Sequence, residues 1–126
     1  MNILVVDDDA AFREAAGRVL GQQHYQVLMA ASAEEALELL RSVPVALVIC
    51  DERMPGRSGT DLLRALRLGG SHVPVVLVTA FGDRAQMAEA LAGGAFDYLA
   101  KPVSAPHLLG VVRRALSCED FSGRGS

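Results

Sequence analysis

Cysteines, basic runs and long apolar stretches are all scarce in this chain of 126 residues. Its two cysteines, Cys50 and Cys118, cannot build the framework of several bridges that a small secreted domain needs, and Cys50 lies in an apolar run that predicts a buried side chain. No apolar stretch approaches the roughly 20 residues of a membrane-spanning helix. These absences exclude a disulfide-rich scaffold and a transmembrane protein, and they favour a reduced, cytoplasmic location.

The charges nearly balance, with 12 Lys and Arg residues against 15 Asp and Glu residues and a net charge of −3. Because proteins bind nucleic acids largely through clustered positive charge, we expect no direct nucleic-acid binding by this domain. Asp7 interrupts the first apolar run almost at once. The beginning of the chain therefore does not match a secretory leader, and no membrane association is expected.

Short apolar runs alternate with segments of helical spacing, and 51% of the residues are hydrophobic. Five strands are predicted at residues 3–6, 25–29, 45–50, 75–78 and 96–99. A helix-period segment follows each of them. Five strand–helix alternations predict an α/β domain with a parallel sheet, covered by helices on both faces.

Polar residues within the strands indicate where the edges of the sheet lie. Gln26 and Asp97 fall inside strands two and five, whereas strands one, three and four are almost wholly apolar. Strands two and five are therefore predicted at the edges. The full order 2-1-3-4-5 is that of the known flavodoxin-like, doubly wound fold, which satisfies this pattern.

Capping residues predict where the helices begin. Ser32, with Glu35 three residues later, predicts the start of the second helix, Asp83 the start of the fourth, and Ser104 a last helix that runs to Leu116. Residues 1–118 are assigned to one domain. Residues 119–126 are polar and rich in Gly and Ser, and they are interpreted as a flexible tail, the start of a linker or a remnant of cloning.

Chemically active residues stand where the predicted strands end. Asp7 and Asp8 follow strand one, Asp51 follows strand three, Thr79 follows strand four, and Lys101 follows strand five. These ends converge on one crevice in a parallel sheet. Three carboxylates gathered there repel each other unless a cation is present, and hard oxygen ligands favour Mg2+. A nucleophilic carboxylate, a metal, a lysine and a hydroxyl together describe phosphoryl transfer to an aspartate.

Four motifs, in order and at strand ends, resemble those of response-regulator receiver domains in two-component signalling. The motifs are Leu-Val-Val-Asp-Asp-Asp at 4–9, Asp-Glu-Arg-Met-Pro-Gly at 51–56, Thr-Ala at 79–80 and Lys-Pro at 101–102. The similarity runs from Asn2 to about Leu116. The Phe-Asp-Tyr-Leu run at 96–99 resembles receivers of sigma-54-type activators and related transcriptional regulators.

The resemblance assigns the acidic residues to a phosphoacceptor and a Mg2+ site. It implies that Asp51 accepts the phosphoryl group and that Asp8 binds the metal directly. It implies that Asp7 acts on the metal through water, and that the backbone carbonyl of Arg53 is a third protein ligand alongside Asp51. It also implies a cis peptide bond between Lys101 and the proline that follows it.

The resemblance further implies a switch and partners. Lys101 pairs with the acidic site and the phosphoryl oxygens, while Thr79 and Tyr98 are the switch residues. The donor is a sensor histidine kinase or a phosphotransfer protein. The chain catalyses its own phosphorylation and dephosphorylation and is otherwise a signalling receiver, not an enzyme. Phosphorylation alters the face formed by helix four, strand five and helix five, through which it promotes a homodimer and controls an output such as transcription.

Ordinary structural roles are the alternative for each residue taken alone. Asp9 is interpreted as a helix cap. Taken alone, Thr79 would be an ordinary strand-end hydroxyl, Lys101 a surface lysine and Tyr98 an aromatic residue of an edge strand. Two rival functions are a flavodoxin-like enzyme or nucleotide binder, and a degenerate receiver that acts only as a scaffold. A nucleotide binder would need a glycine-rich phosphate loop after strand one, which this sequence lacks. The intact set of acidic residues argues against the degenerate receiver.

Two further expectations concern side chains near the site and the switching face. Arg53 and Phe81 each lie two positions after a motif residue and are expected to shield the phosphoryl group from water and slow its loss. Leu91, Leu108 and Val112 belong either to the core or to an association surface on the switching face, and the sequence leaves this choice open.

Overall fold

Five strands and five helices alternate along the chain in the computed structural model, which describes residues 1–80 and 84–125, with side chains through residue 117. The strands are β1 (Asn2–Val6), β2 (Gln26–Ala30), β3 (Leu47–Asp51), β4 (Val75–Thr79) and β5 (Asp97–Ala100). The helices are α1 (Ala10–Gly21), α2 (Ala33–Ser42), α3 (Gly59–Leu68), α4 (Arg84–Ala92) and α5 (Ala105–Gly125). Among these described residues, no helix is long and apolar enough to cross a membrane.

All strand pairs are parallel, and the sheet has the order β2-β1-β3-β4-β5. The predicted flavodoxin-like α/β fold is therefore confirmed. The polar residues mark the edges as predicted, because Gln26 is exposed on β2 and Asp97 is partly exposed on β5. Every residue of β3 and β4 is buried, which explains why these two strands are almost wholly apolar.

The core consists of two layers, one on each face of the sheet. On one face, side chains such as Leu4 and Cys50 pack among residues of α2, α3 and α4. On the other face, alternate strand residues such as Ile3 and Ile49 pack among residues of α1 and α5. The expected burial of Cys50 is confirmed. This two-sided packing holds the strands so that their carboxyl ends meet at a common edge.

Polar caps begin four of the helices, including α5, where the Ser104 side chain accepts from the backbone N–H of His107 at 3.2 Å, as the sequence predicts. Asp9 accepts a hydrogen bond from the backbone N–H of Ala11 at the start of α1, and Ser32 accepts one from Glu35 at the start of α2. Ser58 and Asp61 form a reciprocal capping box at the start of α3, which is not among the caps predicted from the sequence. These caps fix the directions in which the chain leaves β1, β2 and the loop after β3.

Several predicted boundaries differ from those observed. β3 begins two residues and β5 one residue later than predicted, although Val45 and Phe96 already pack against the core. Helix α5 continues to Gly125, beyond its predicted end at Leu116, in a segment that contains no proline to stop it. The domain boundary at residue 118 stays a prediction. Phe81 and the predicted cap Asp83 lie outside the described residues.

Gly59, the first residue of α3, lies directly against the end of β3. A Cβ atom at this position would stand 2.7 Å from the backbone oxygen of Asp51 and 2.8 Å from Cδ2 of Leu77. These separations are shorter than van der Waals contact, and one of the two atoms belongs to the backbone and cannot rotate away. The glycine therefore permits a close approach of α3 to the strand that carries Asp51.

We expect Gly59→Ala to lower the free energy of unfolding by about 2 kcal/mol, because the added methyl group displaces α3 from β3. Intrinsic helix propensity alone would favour the alanine by about 1 kcal/mol, so the sign of the change is diagnostic. Gly21→Ala at the end of α1 is the matched control, since an added Cβ there meets nothing within 4 Å. Urea unfolding measures both variants, and an unchanged midpoint for Gly59→Ala would contradict the close approach.

Candidate functional site

Asp7 follows β1 and is fully buried, with its carboxylate oxygens both hydrogen bonded. One oxygen accepts from the backbone N–H of Asp9 at 2.9 Å, and the other accepts from Nζ of Lys101 at 2.8 Å. The backbone carbonyl of Asp7 also accepts from the Arg13 guanidinium. Asp8 is exposed. Asp9 serves as the α1 cap, as the sequence predicts.

Asp51 is the last residue of β3, and it is 6% exposed. Its Oδ1 atom lies 3.3 Å from Nζ of Lys101. Carboxylate oxygens of Asp7, Asp8 and Asp51 all lie within 4.8 Å of one another. The structure thus brings together the three carboxylates that the sequence places at the ends of two strands.

Lys101 follows β5 and joins this cluster from the opposite side. Its backbone N–H donates to the carbonyl of Thr79 at 2.8 Å, and the peptide bond to Pro102 is cis, as the resemblance implies. Besides its two carboxylate contacts, Nζ lies 4.5 Å from the centre of the Phe12 ring on α1. The sequence does not predict the contact of Phe12, because an apolar residue in an amphipathic helix gives no sign of a contact with a distant lysine.

Thr79 and Tyr98 occupy adjacent strands next to the acidic cluster. Thr79 is the fully buried last residue of β4, and Tyr98 on β5 is 8% exposed. The Tyr98 hydroxyl donates to Oε1 of Gln86 on α4 at 3.2 Å. The aromatic side chain is thus directed inward and connected to α4. Arg53, by contrast, lies in the exposed loop after β3.

Burial and mutual repulsion govern the charges at this site. Burial, and next the charge of Asp7, raises the pKa of Asp51 to about 6 although Lys101 opposes the change. Burial works against the charged form of Lys101, but its hydrogen bond to Asp7 and the charges of Asp51 and Asp7 outweigh this effect and raise its pKa. One lysine offsets only one of three negative charges, so the site retains a strong preference for another cation.

The donor set fits Mg2+. All three clustered side chains offer carboxylate oxygens, which are the hard ligands that this cation takes, and no sulfur or imidazole ligand belongs to the cluster. Because Asp8 is exposed while Asp7 and Asp51 are buried, the cluster opens to solvent on one side. A hydrated cation can therefore reach the cluster and keep part of its water shell.

Surface apolar residues distinguish the possible association face from the core. Leu108 and Val112 of α5 are buried, so they belong to the core. Leu91 of α4 is 42% exposed, and Met87, one helical turn before it, is also exposed. Of the three residues that the sequence leaves undecided, only Leu91 remains available to a partner.

The fold and the site together define a class: a flavodoxin-like protein with a crevice of clustered carboxylates, able to hold a cation, at the point where the winding of the sheet reverses. The family model for the response regulator receiver domain matches residues 3–113. The chain belongs to this family, as its motifs suggest. It is a receiver domain of the kind found in response regulators.

Relatives with known names support this membership. The response regulator protein FleR of Pseudomonas aeruginosa is 42% identical over 112 residues, which cover 89% of this chain and 24% of FleR. The C4-dicarboxylate transport transcriptional regulatory protein DctD of Rhizobium meliloti is 37% identical over 114 residues, which cover 90% of this chain and 25% of DctD. The chain therefore spans about a quarter of the length of each relative.

Solved structures share the fold. A response regulator receiver domain protein from Clostridium thermocellum superposes with a TM-score of 0.88 at 32% identity, covering 95% of this chain and 97% of that one. The beryllofluoride-activated NtrC4 receiver domain dimer also has a TM-score of 0.88, at 22% identity, covering 92% of this chain and 96% of that one. The second likeness concerns the fold alone.

We expect the stability of the metal-free protein to decrease between about pH 4 and pH 6. The pKa of Asp51 is raised to about 6 in the folded chain but returns to about 4 on unfolding. The folded state binds more protons across this interval, so rising pH disfavours it. In EDTA, Asp51→Asn should be more stable than the wild type by about 3 kcal/mol at pH 7, and by almost nothing below pH 4.

Urea unfolding at a series of pH values measures this difference. Asp9→Asn is the control, because asparagine retains the cap of α1 and Asp9 lies outside the carboxylate cluster. That control should track the wild type at every pH. An Asp51→Asn protein that is no more stable than the wild type at pH 7 would contradict the raised pKa, because neither burial nor the charge of Asp7 would then disfavour the ionised Asp51.

Proposed function

We propose that this receiver domain accepts a phosphoryl group on Asp51 from a sensor histidine kinase or a phosphotransfer protein. The observation that carries the proposal is the placement of the Asp51 carboxylate. It is buried at the end of a central strand, 3.3 Å from Nζ of Lys101, and its oxygens lie within 4.8 Å of those of Asp7 and Asp8. A nucleophile, a fixed cation and a metal-binding set thus share one crevice.

Asp8, Asp51 and the backbone carbonyl of Arg53 would hold Mg2+ directly, with Asp7 acting through water. When bound, Mg2+ supplies positive charge that lets an anionic phosphoryl group approach three carboxylates. The chemistry of the donor set supports this assignment, and so does the raised pKa of Asp51, since both reflect a cluster that lacks sufficient positive charge.

The side chains have distinct tasks in the transfer. An Asp51 carboxylate oxygen attacks phosphorus as the bond between phosphorus and the donor nitrogen breaks, and the product is an acyl phosphate. Lys101 donates hydrogen bonds to the transferred oxygens, and Asp7 holds its ammonium group in place at 2.8 Å. The Thr79 hydroxyl is a second donor. In this scheme the chain promotes its own phosphorylation and dephosphorylation and processes no separate metabolite.

The switch proceeds through β4 and β5. The phosphoryl group attracts the Thr79 hydroxyl, and the neighbouring Tyr98 side chain responds through its contact with Gln86 on α4. Because the Tyr98 ring is already buried, phosphorylation need only change the relative populations of two arrangements of the face formed by α4, β5 and α5. Arg53 is exposed in the loop after β3, and its shielding of the phosphoryl group from water stays a prediction.

The output proposed for this switch is transcription, because DctD is named as a transcriptional regulator and shares this domain. The domain itself comprises residues 1–118, with 119–126 as a tail or the start of a linker. Its net charge of −3 leaves nucleic-acid contacts to another part of a longer protein. A cytoplasmic location follows from the assignment to two-component signalling. A nucleotide-binding role is disfavoured, since three consecutive aspartates follow β1.

We expect acetyl phosphate with Mg2+ to add one phosphoryl group to the wild type, and EDTA to prevent the reaction. Asp51→Asn should show no addition while retaining its fold, because the amide is nearly isosteric but is not a nucleophile. Intact-protein mass spectrometry measures the product. Asp9→Asn should react like the wild type, and normal phosphorylation of Asp51→Asn would refute the assignment.

We expect phosphorylation to promote self-association through the face formed by α4, β5 and α5. Exposed Met87 and Leu91 provide apolar surface there, and NtrC4, which shares the fold, is described as a receiver domain dimer when activated. Sedimentation with and without beryllofluoride tests this expectation. Leu91→Lys should weaken the association, whereas Leu68→Lys, an exposed change on α3, should not. A monomer under both conditions would leave a different protein as the partner of this face.

A further inference from the structure

Glu52, the residue after Asp51, connects the end of β3 to the start of α3. One of its carboxylate oxygens accepts from the backbone N–H of Thr60 at 2.7 Å, and the other accepts from the Thr60 hydroxyl. Both oxygens are therefore engaged away from the carboxylate cluster. Thr60 is the second residue of α3, so its N–H is one of the first-turn donors that have no partner within the helix.

The backbone of Glu52 is fixed as well. Its N–H donates to the carbonyl of Val78 at 2.8 Å, and its own carbonyl accepts from Gly59 at 3.1 Å. The loop of residues 53–58 is thus closed where it begins and where it ends. The missing Cβ of Gly59 allows this closure, since the Cα of Glu52 would lie 3.2 Å from an added methyl group.

Arg53 stands between two fixed residues. Glu52 precedes it with backbone and side chain both bonded, and Met54 follows it with only 9% of its surface exposed. The side chain of Arg53 is in solvent, but its peptide groups are attached to these anchored neighbours. The direction of the Arg53 carbonyl is therefore constrained by the contacts of Glu52 and Met54 on either side of it.

We infer that the hydrogen bond from the Thr60 hydroxyl to Glu52 is a positioning clamp that directs the Arg53 carbonyl toward the metal and so raises the affinity for Mg2+. The inference rests on the proposed Mg2+ site. Magnesium demands nearly ideal octahedral geometry, so a ligand on a loose loop would bind it poorly. Groups that orient metal ligands without touching the metal commonly affect affinity in this way. Glu52 and Thr60 are positioning residues, not ligands.

Thr60→Val tests the clamp with little change in shape, because valine is also β-branched and the charge of Glu52 remains. We expect the dissociation constant for Mg2+ to rise about tenfold, the lower end of the loss seen when such an orienting group is removed. Thr60→Ser keeps the hydroxyl and should restore the affinity of the wild type. Titration with MgCl2, followed through the backbone amide signal of Met54 by NMR, reports directly on the Arg53 carbonyl.

Asp61→Ala is the control for general loosening of α3, since it removes the capping box beside the clamp. It should lower the urea midpoint in EDTA while leaving the affinity for Mg2+ unchanged. A wild type that shows no saturable Mg2+ binding would refute the metal site and with it the proposed function. Saturable binding that is equal in wild type and Thr60→Val would refute the clamp alone. A loss in Glu52→Gln with none in Thr60→Val would also refute the clamp, because the charge of Glu52 would then be the cause.

Discussion

Repulsion among three carboxylates at one edge of a parallel sheet is the constraint on which the rest of this molecule depends. Asp7, Asp8 and Asp51 bring their oxygens within 4.8 Å of one another, and Lys101 compensates only part of the charge. Burial, and next the charge of Asp7, raises the pKa of Asp51 to about 6, so the ionised carboxylate is disfavoured in the folded chain. Packing on both faces of the sheet offsets this cost, because the strands that carry Asp7 and Asp51 are among the most deeply buried segments.

The strand order turns this constraint into a usable site. β1 and β3 are neighbours, so the carboxylates converge although 44 positions separate residues 7 and 51 in the sequence. β4 and β5 bring Thr79 and Lys101 to the same edge, where a backbone hydrogen bond joins them. The strand order thus places the carboxylates that could hold a cation at the same edge as the Thr79 and Lys101 donors. An anionic group could bind there without a dedicated phosphate loop.

The sequence predicts the parts of the site that follow from strand ends, and it misses those that depend on contacts between side chains of different elements. Each of the clustered residues follows an apolar run, so its place at the sheet edge can be inferred directly. Phe12 beside Lys101, Gln86 beside Tyr98 and Thr60 beside Glu52 give no comparable signal, since their pairing depends on how helices dock onto the sheet. Helix ends have the same difficulty: the stop predicted at Leu116 relied on composition, whereas α5 continues to Gly125.

The loop beside the acidic cluster and helix α4 differ in how firmly the rest of the fold holds them. This difference favours a population shift as the way in which the proposed switch works. The loop that carries Arg53 is hydrogen bonded to α3 and β4 through Glu52, so the proposed Mg2+ ligands lie on a segment that is fixed by these contacts. Helix α4 buries only Ala90 among its described residues, and its exposed apolar residues gain little from their present position. A small change in the interactions of the Thr79 or Tyr98 side chain therefore displaces α4 more readily than it displaces the acidic cluster. When a firmly held site is connected to a weakly held helix such as α4, a modest difference in binding free energy is enough to produce a measurable shift in conformation.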